Sequence, residues 1–153
     1  MNRKKRLLIL GPSFRRNPSE ELLPAIDRYD GLFYRVTRKY IRDNKDVDSV
    51  IMLGDLTLVN GITPIPYSAP EGDDWWTARK LSAEMITMAK AENEKFFRRK
   101  LRGGKYSEAF IAMGKAYAMA LPDLAQSGLK VVFPTTGGPG PKAAALRDWI
   151  SKK

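Results

Sequence analysis

The stretch Leu7-Leu8-Ile9-Leu10-Gly11-Pro12-Ser13-Phe14-Arg15-Arg16-Asn17-Pro18 passes from four apolar residues through Gly-Pro into a polar loop with two arginines. An apolar run without polar alternation suits a strand covered on both faces, the condition of central strands in parallel sheets. In open α/β sheets, ligands sit just outside the carboxyl ends of such strands. The loop bearing Ser13, Arg15 and Arg16 is thus the first place to look for a site.

Three later segments repeat this design. Val50-Ile51-Met52-Leu53-Gly54 reads as a second buried strand, which puts Asp55 on the same edge as the two arginines. Ala109-Phe110-Ile111-Ala112-Met113-Gly114 reads as a third, followed by a helical segment carrying Tyr117, and Leu129 to Phe133 as a fourth. After the fourth strand, Pro134-Thr135-Thr136-Gly137-Gly138-Pro139-Gly140-Pro141-Lys142 leads into a closing helix. Pro141 suits a first helical turn, and the glycines let backbone N–H groups approach an anion there. The spacing matches neither a Walker A loop nor a dinucleotide fingerprint.

Helical spacing appears between the strands. Ser19 to Leu23 is expected to start a short helical turn with Ser19 as N-cap. From Leu32, the positions Phe33, Val36 and Tyr40 mark one helix face, and Arg35, Arg38, Lys39 and Arg42 form a basic stripe, read either as a solvated face or as a phosphate track. Ile62 to Pro70 carries three prolines at 64, 66 and 70 and is expected to run extended over the sheet edge, presenting Tyr67. The acids of Glu71 to Asp74 can cap a long helix containing Trp75 and Trp76, with Ala78, Leu81, Met85, Met88, Glu92 and Phe96 along one face and Met85 and Met88 as core filler. Its end holds Lys95, Arg98, Arg99, Lys100, Arg102 and Lys105 interleaved with Phe96, Phe97 and Tyr106 before or after the stop at Gly103-Gly104. Such a cluster can follow phosphates, or simply solvate a helix end. Strands alternating with helices predict a three-layer α/β domain with a mostly parallel sheet.

Composition narrows the chemistry. The chain has 153 residues, enough for one domain over residues 1–153 with a real core. It contains no Cys and no His, which removes disulfides, thiolate nucleophiles, the commonest metal ligand and the usual neutral-pH acid–base. No metal or cofactor is expected. A net charge of +10, from 27 Lys and Arg against 17 Asp and Glu, predicts a field attractive to nucleic acid or nucleotides. Only four strongly apolar residues follow Arg3-Lys4-Lys5-Arg6, too few for an export signal of about 7–15. No run approaches the ~20 residues of a membrane span, so a cytoplasmic protein is expected.

Taken in order, these pieces resemble a family of small α/β domains of unknown function related to the peroxide-stress protein YaaA, and the catalytic core of archaeosine synthase. Gly11 to Arg16 resembles the family's Cys-Ser-x-x-Lys after the first strand, and Tyr29-Asp30-Gly31-Leu32-Phe33 its Tyr-x-Gly-x-x-aromatic helix start. Leu58-Val59 with Tyr67, Gly114-Lys115-Ala116-Tyr117 and the stretch from Pro134 to Leu146 resemble its remaining motifs. The resemblance implies association with DNA or tRNA and, for the synthase, transfer of an amine donor to a modified deazaguanine base. Pro12 stands where the family has Cys and Arg16 where it has Lys, and the synthase His has no counterpart. What carries over is a pocket for a phosphate or nucleobase.

The expected function is a nucleic-acid- or nucleotide-binding domain allied to nucleobase modification in tRNA or DNA, as a divergent enzyme or as its binding remnant. Ser13, Arg15, Arg16, Thr135, Thr136, Gly137, Gly138, Gly140 and Lys142 are the candidate anion and nucleotide ligands, with Arg15, Arg16 and the glycine loop expected to converge on one anion. Arg98, Arg99, Lys100, Arg102 and Lys105 are the candidate nucleic-acid contacts. An alternative is hydrolysis or transfer at a nucleotide glycosidic bond, with Asp55 or Asp30 as the carboxylate and Tyr67 or Tyr117 as orienting hydroxyl. A third is a structural or assembly protein, possible as a homo-oligomer or with a protein partner gripped by Trp75 and Trp76.

Overall fold

The structure is a computed structural model that describes residues 4–68 and 81–152. The apolar run forms β1 (Lys5–Leu10), whose residues from Arg6 onward are all buried. Strand β2 (Leu23–Pro24) and the single turn α1 (Ala25–Arg28) precede helix α2 (Leu32–Ile41), strand β3 (Val47–Met52), strand β4 (Leu58–Asn60) and strand β5 (Pro64–Ile65). Helix α3 (Ala83–Lys100), strand β6 (Tyr106–Ala112), the turn α4 (Lys115–Ala118), strand β7 (Lys130–Val132) and helix α5 (Pro139–Ser151) complete the order.

The main sheet runs β4-β3-β1-β6-β7, and β2 pairs with β5 in a small ribbon. Strand β1 is parallel to both neighbours, with Leu8 beside Ser49 of β3 and Phe110 of β6, and β6 is parallel to β7. Strand β4 turns back antiparallel to β3. The expected α/β architecture with a mostly parallel sheet is the one observed. Two apolar layers cover it. Leu7, Ile9, Val50 and Ile111 pack with Phe97 of α3 on one face, and Leu8, Leu10, Ile51 and Phe110 pack with Tyr34 of α2 and Leu146 and Trp149 of α5 on the other.

Connections leave β1 toward β3 and leave β6 toward β7, in opposite directions from adjacent strands. The carboxyl ends of β1 and β6 therefore flank a topological switch point, where parting loops leave a crevice. Backbones approach closely there: Gly11 N–H donates to the Ala112 carbonyl over 3.2 Å, and a Cβ built on Gly11 would lie 2.6 Å from Met113 Cβ.

Local details depart from the reading of the sequence. Residues 19–22 form no helix: the Ser19 hydroxyl accepts from the Glu21 N–H over 3.2 Å in a local turn, and the helical turn starts after Pro24. Helix α3 begins at Ala83 with Ser82 as N-cap, its hydroxyl accepting from the Met85 N–H, so Leu81 precedes it, and Ala78 lies outside the described residues. The acids at 71–74 and the pair Trp75-Trp76 lie outside the described residues. Met88 is exposed rather than core, and the buried polar position on α3 is Asn93, one residue beyond Glu92. Gly103 and Gly104, with φ of 88° and 67°, end the helix region as expected.

Part of the basic stripe on α2 is structural. Arg35 and Arg38 both pair with Asp30, and Arg38 also donates to the carbonyls of Ile26 and Tyr29. Buried Arg28 donates to the carbonyls of Asn17, Ser19, Glu21 and Ile65, tying the first loop to the segment that reaches Tyr67. At the opposite end, Arg6 pairs with Asp46 and donates to the carbonyls of Trp149, Ile150 and Lys152. It thereby satisfies the orphan carbonyls and the negative end of α5 together.

Candidate functional site at the carboxyl edge

The loop after β1 is pinned by backbone bonds from Asn17 N–H to the Arg28 carbonyl, over 2.7 Å, and from Asp30 N–H to the Arg15 carbonyl, over 2.9 Å. This brings the Arg16 guanidinium over the Tyr29 ring, 5.2 Å from its centroid. Arg16 also donates to the Ser13 carbonyl over 3.3 Å, and to the Ser68 carbonyl and hydroxyl over 2.7 and 3.1 Å. Arg15 is exposed, and the Ser13 hydroxyl donates to its carbonyl over 3.0 Å.

Tyr29 is the centre of a polar group. Burial raises its phenol above the ordinary value, the Arg16 charge and a hydrogen bond with the Gly54 backbone oppose that rise, and Asp55 and Tyr117 reinforce it. Arg16, Tyr29, Asp55 and Tyr117, drawn from the loops after β1, β3 and β6, thus share one electrostatic neighbourhood. Asp55 is exposed and its Oδ1 accepts from the Thr57 N–H over 3.0 Å. The next residue, Leu56, is buried and holds φ at 72°, a left-handed conformation costly for a residue with a Cβ. Its carbonyl accepts from the Asn93 side chain over 3.1 Å, and the same amide donates to the Ala120 carbonyl over 2.9 Å. One buried amide on α3 therefore ties the Asp55 loop to the segment that follows Tyr117.

Beside this group lies a cavity of about 210 Å³, walled by Phe33 of α2, residues 110–114 of β6 and its end, Pro134, Gly137, Gly138, Pro139 and Lys142. Its walls are mainly apolar, and half-buried Lys142 is the charged residue among them. Gly137 takes φ of 83°, turning the chain into α5 with Gly138 as N-cap. The cavity and the polar group meet at Met113-Gly114: both residues line the cavity, Gly11 packs on Met113, and a Cβ on Gly114 would lie 4.0 Å from the Tyr117 ring.

Among the expected ligands, Gly137, Gly138 and Lys142 wall the cavity, whereas Arg15, Arg16 and Ser13 do not. Thr135, Thr136 and Gly140 are exposed nearby in sequence without lining it. Tyr67 is 42% exposed, with the Arg28 guanidinium 5.7 Å from its ring centroid. Asp30 is held by Arg35 and Arg38, the Arg35 bond being the main reason its carboxyl sits below the ordinary value. Arg98, Arg99 and Lys100 form the last turn of α3, and Arg102 and Lys105 lie between it and β6, at the amino edge of the sheet, opposite the cavity. Among the described residues, no group of three or more carboxylates, Cys or His could hold a metal ion, and no helix is long and apolar enough to cross a membrane.

Tyr29, Phe33 and Asn93 were not among the expected site residues. Asn93 did leave a signal, as an amide on the helical face of Ile86, Ala89, Phe96 and Phe97. No protein-family model, curated protein or solved structure matches this chain.

Proposed function

We propose that the chain is a nucleotide- or nucleic-acid-binding domain allied to nucleobase modification, with the nucleotide unit held at the carboxyl edge between β1 and β6. The observation that carries this reading is the junction at Met113-Gly114 of an apolar cavity with a polar group of Arg16, Tyr29, Asp55 and Tyr117. Apolar walls and aromatic edges suit a flat base, while Asp55 and the phenols offer hydrogen-bonding partners to its rim. Lys142 and the first turn of α5 suit a phosphate.

Fluorescence titration with free nucleotides, tRNA and duplex DNA across a salt series tests the reading. Binding is expected, and Lys142→Ala should weaken nucleotide affinity by about 1–3 kcal/mol if the contact is shielded and charge-assisted. Absence of binding to every ligand ends the proposal. Because Asp55 shares the neighbourhood of the Tyr29 phenol at the same edge, cleavage or transfer at a glycosidic bond is the second reading. Incubation with a nucleotide panel that releases no free base at any pH removes it.

A further inference from the structure

The amino edge of the sheet, remote from the cavity, gathers a group of exposed cations. The α2–β3 turn brings Arg42 and Lys45 there, the end of α3 brings Arg98, Arg99 and Arg102, and the first residue of β7 brings Lys130. All six are exposed and none has a carboxylate partner among the described residues. The acids of this edge are mostly engaged by other cations: Asp46 by Arg6, Asp48 by Lys5 and Lys105, and Glu108 by Lys152, while Asp43 is exposed. Lys100 is half-buried behind them; burial first, and then the charges of Lys105 and Lys5, lower its affinity for a proton despite the nearby Asp48. Of the exposed large apolar side chains, Ile62 lies near this edge, two residues beyond Asn60, whose side-chain oxygen accepts from Lys100 over 2.6 Å.

We propose that this edge is a second, separate docking surface for a polynucleotide backbone, so that the ligand of the domain is a polymer reaching both ends of the sheet. Three arginines at one helix end suit phosphate oxygens through their planar forks. A surface that docks on lipid would add a band of apolar side chains for insertion, and beside these six cations stands the single exposed Ile62 among the described residues. Strands β1 and β6, six and seven residues long, hold the two edges about 20 Å apart at ~3.3 Å per residue. A duplex covers that span in about six base pairs, whereas a free nucleotide reaches one edge alone. The inference rests on the reading above for what occupies the cavity, but not for the basic surface itself.

The test compares the full chain with R98A/R99A/R102A, whose side chains are exposed and without carboxylate partners, after equal melting temperatures are verified. Ligands are an RNA hairpin with a stem of about 20 base pairs, a DNA duplex of the same length, a duplex of about four base pairs and a mononucleotide. The variant should bind at least one long polymer about tenfold or more weakly near 0.1 M salt, with the slope of log affinity against log salt reduced by roughly 2–3. The short duplex and mononucleotide should bind both proteins alike. A loss confined to RNA or to DNA supports the surface and identifies its polymer. Unchanged affinity and slope for both long polymers overturn the inference, as does tighter binding of the parent protein to phosphatidylserine vesicles that the variant loses. Polymer binding that depends on the arginines, without mononucleotide binding in the parent, supports this surface and ends the carboxyl-edge reading instead.

Discussion

Leu56 takes a backbone conformation that its side chain disfavours, yet that side chain is buried and its carbonyl is engaged by Asn93. The strain is held by surrounding packing, in the turn that carries Asp55 after β3. Asn93→Ala leaves the Leu56 and Ala120 carbonyls unpaired, so stability should fall by about 1–3 kcal/mol for each that water cannot reach. Urea denaturation measures this loss, and a stability equal to that of the parent protein would show that the amide is not needed. Asp48 gives a residue-scale prediction in pH. Burial alone would raise its carboxyl, but the Tyr106 hydroxyl at 2.6 Å, the Lys5 ammonium at 3.2 Å and the charge of Lys105 outweigh it and hold the group below its ordinary 3.8. A lowered folded value means that the stabilisation is complete above the ordinary carboxyl range and disappears as pH falls through the folded value. Asp48→Asn should cost about 1–2 kcal/mol at neutral pH and much less near pH 2, a difference read from denaturation midpoints at the two pH values.

At the scale of elements, the site depends on how closely β1 and β6 approach at their carboxyl ends. Gly11→Ala forces a Cβ against Met113 Cβ, which cannot swing away as a side-chain tip could. The substitution should destabilise by about 1–3 kcal/mol, and Met113→Gly should recover part of that loss in the double variant, giving a coupling that a mutant cycle resolves. Additive effects would mean that the two positions do not press on each other. These strands were legible in the sequence because Leu7 to Leu10 and Ala109 to Ala112 are apolar without alternation and stop at Gly-Pro or just before Gly. Helix starts were less legible. Ser19 and Ser82 are equally good caps in isolation, and Pro24, which cannot donate a backbone hydrogen bond, moves the first helical turn past itself. The site was half legible: glycines and Asp55 after strands announce the carboxyl edge, but the role of Tyr29 depends on a loop folding back through Arg16, a contact with no local periodicity to reveal it.

For the whole molecule, a net charge of +10 on 153 residues implies self-repulsion in the folded state. Raising salt from about 0.02 to about 0.2 M should therefore increase the melting temperature, since screening relieves the excess of like charges more than it weakens exposed ion pairs. A falling melting temperature would show that the pairs dominate. The placement of β1 has a further consequence during synthesis. Its four apolar residues leave the ribosome about a hundred positions ahead of Phe110, the register partner of Leu8, and the helix-end carbonyls that receive Arg6 come later still. At roughly 5–20 residues per second, the nascent chain carries an incompletely paired apolar strand for about 5–20 s. The segment that closes the finished sheet from within is, for that interval, the one most in need of a chaperone's shelter.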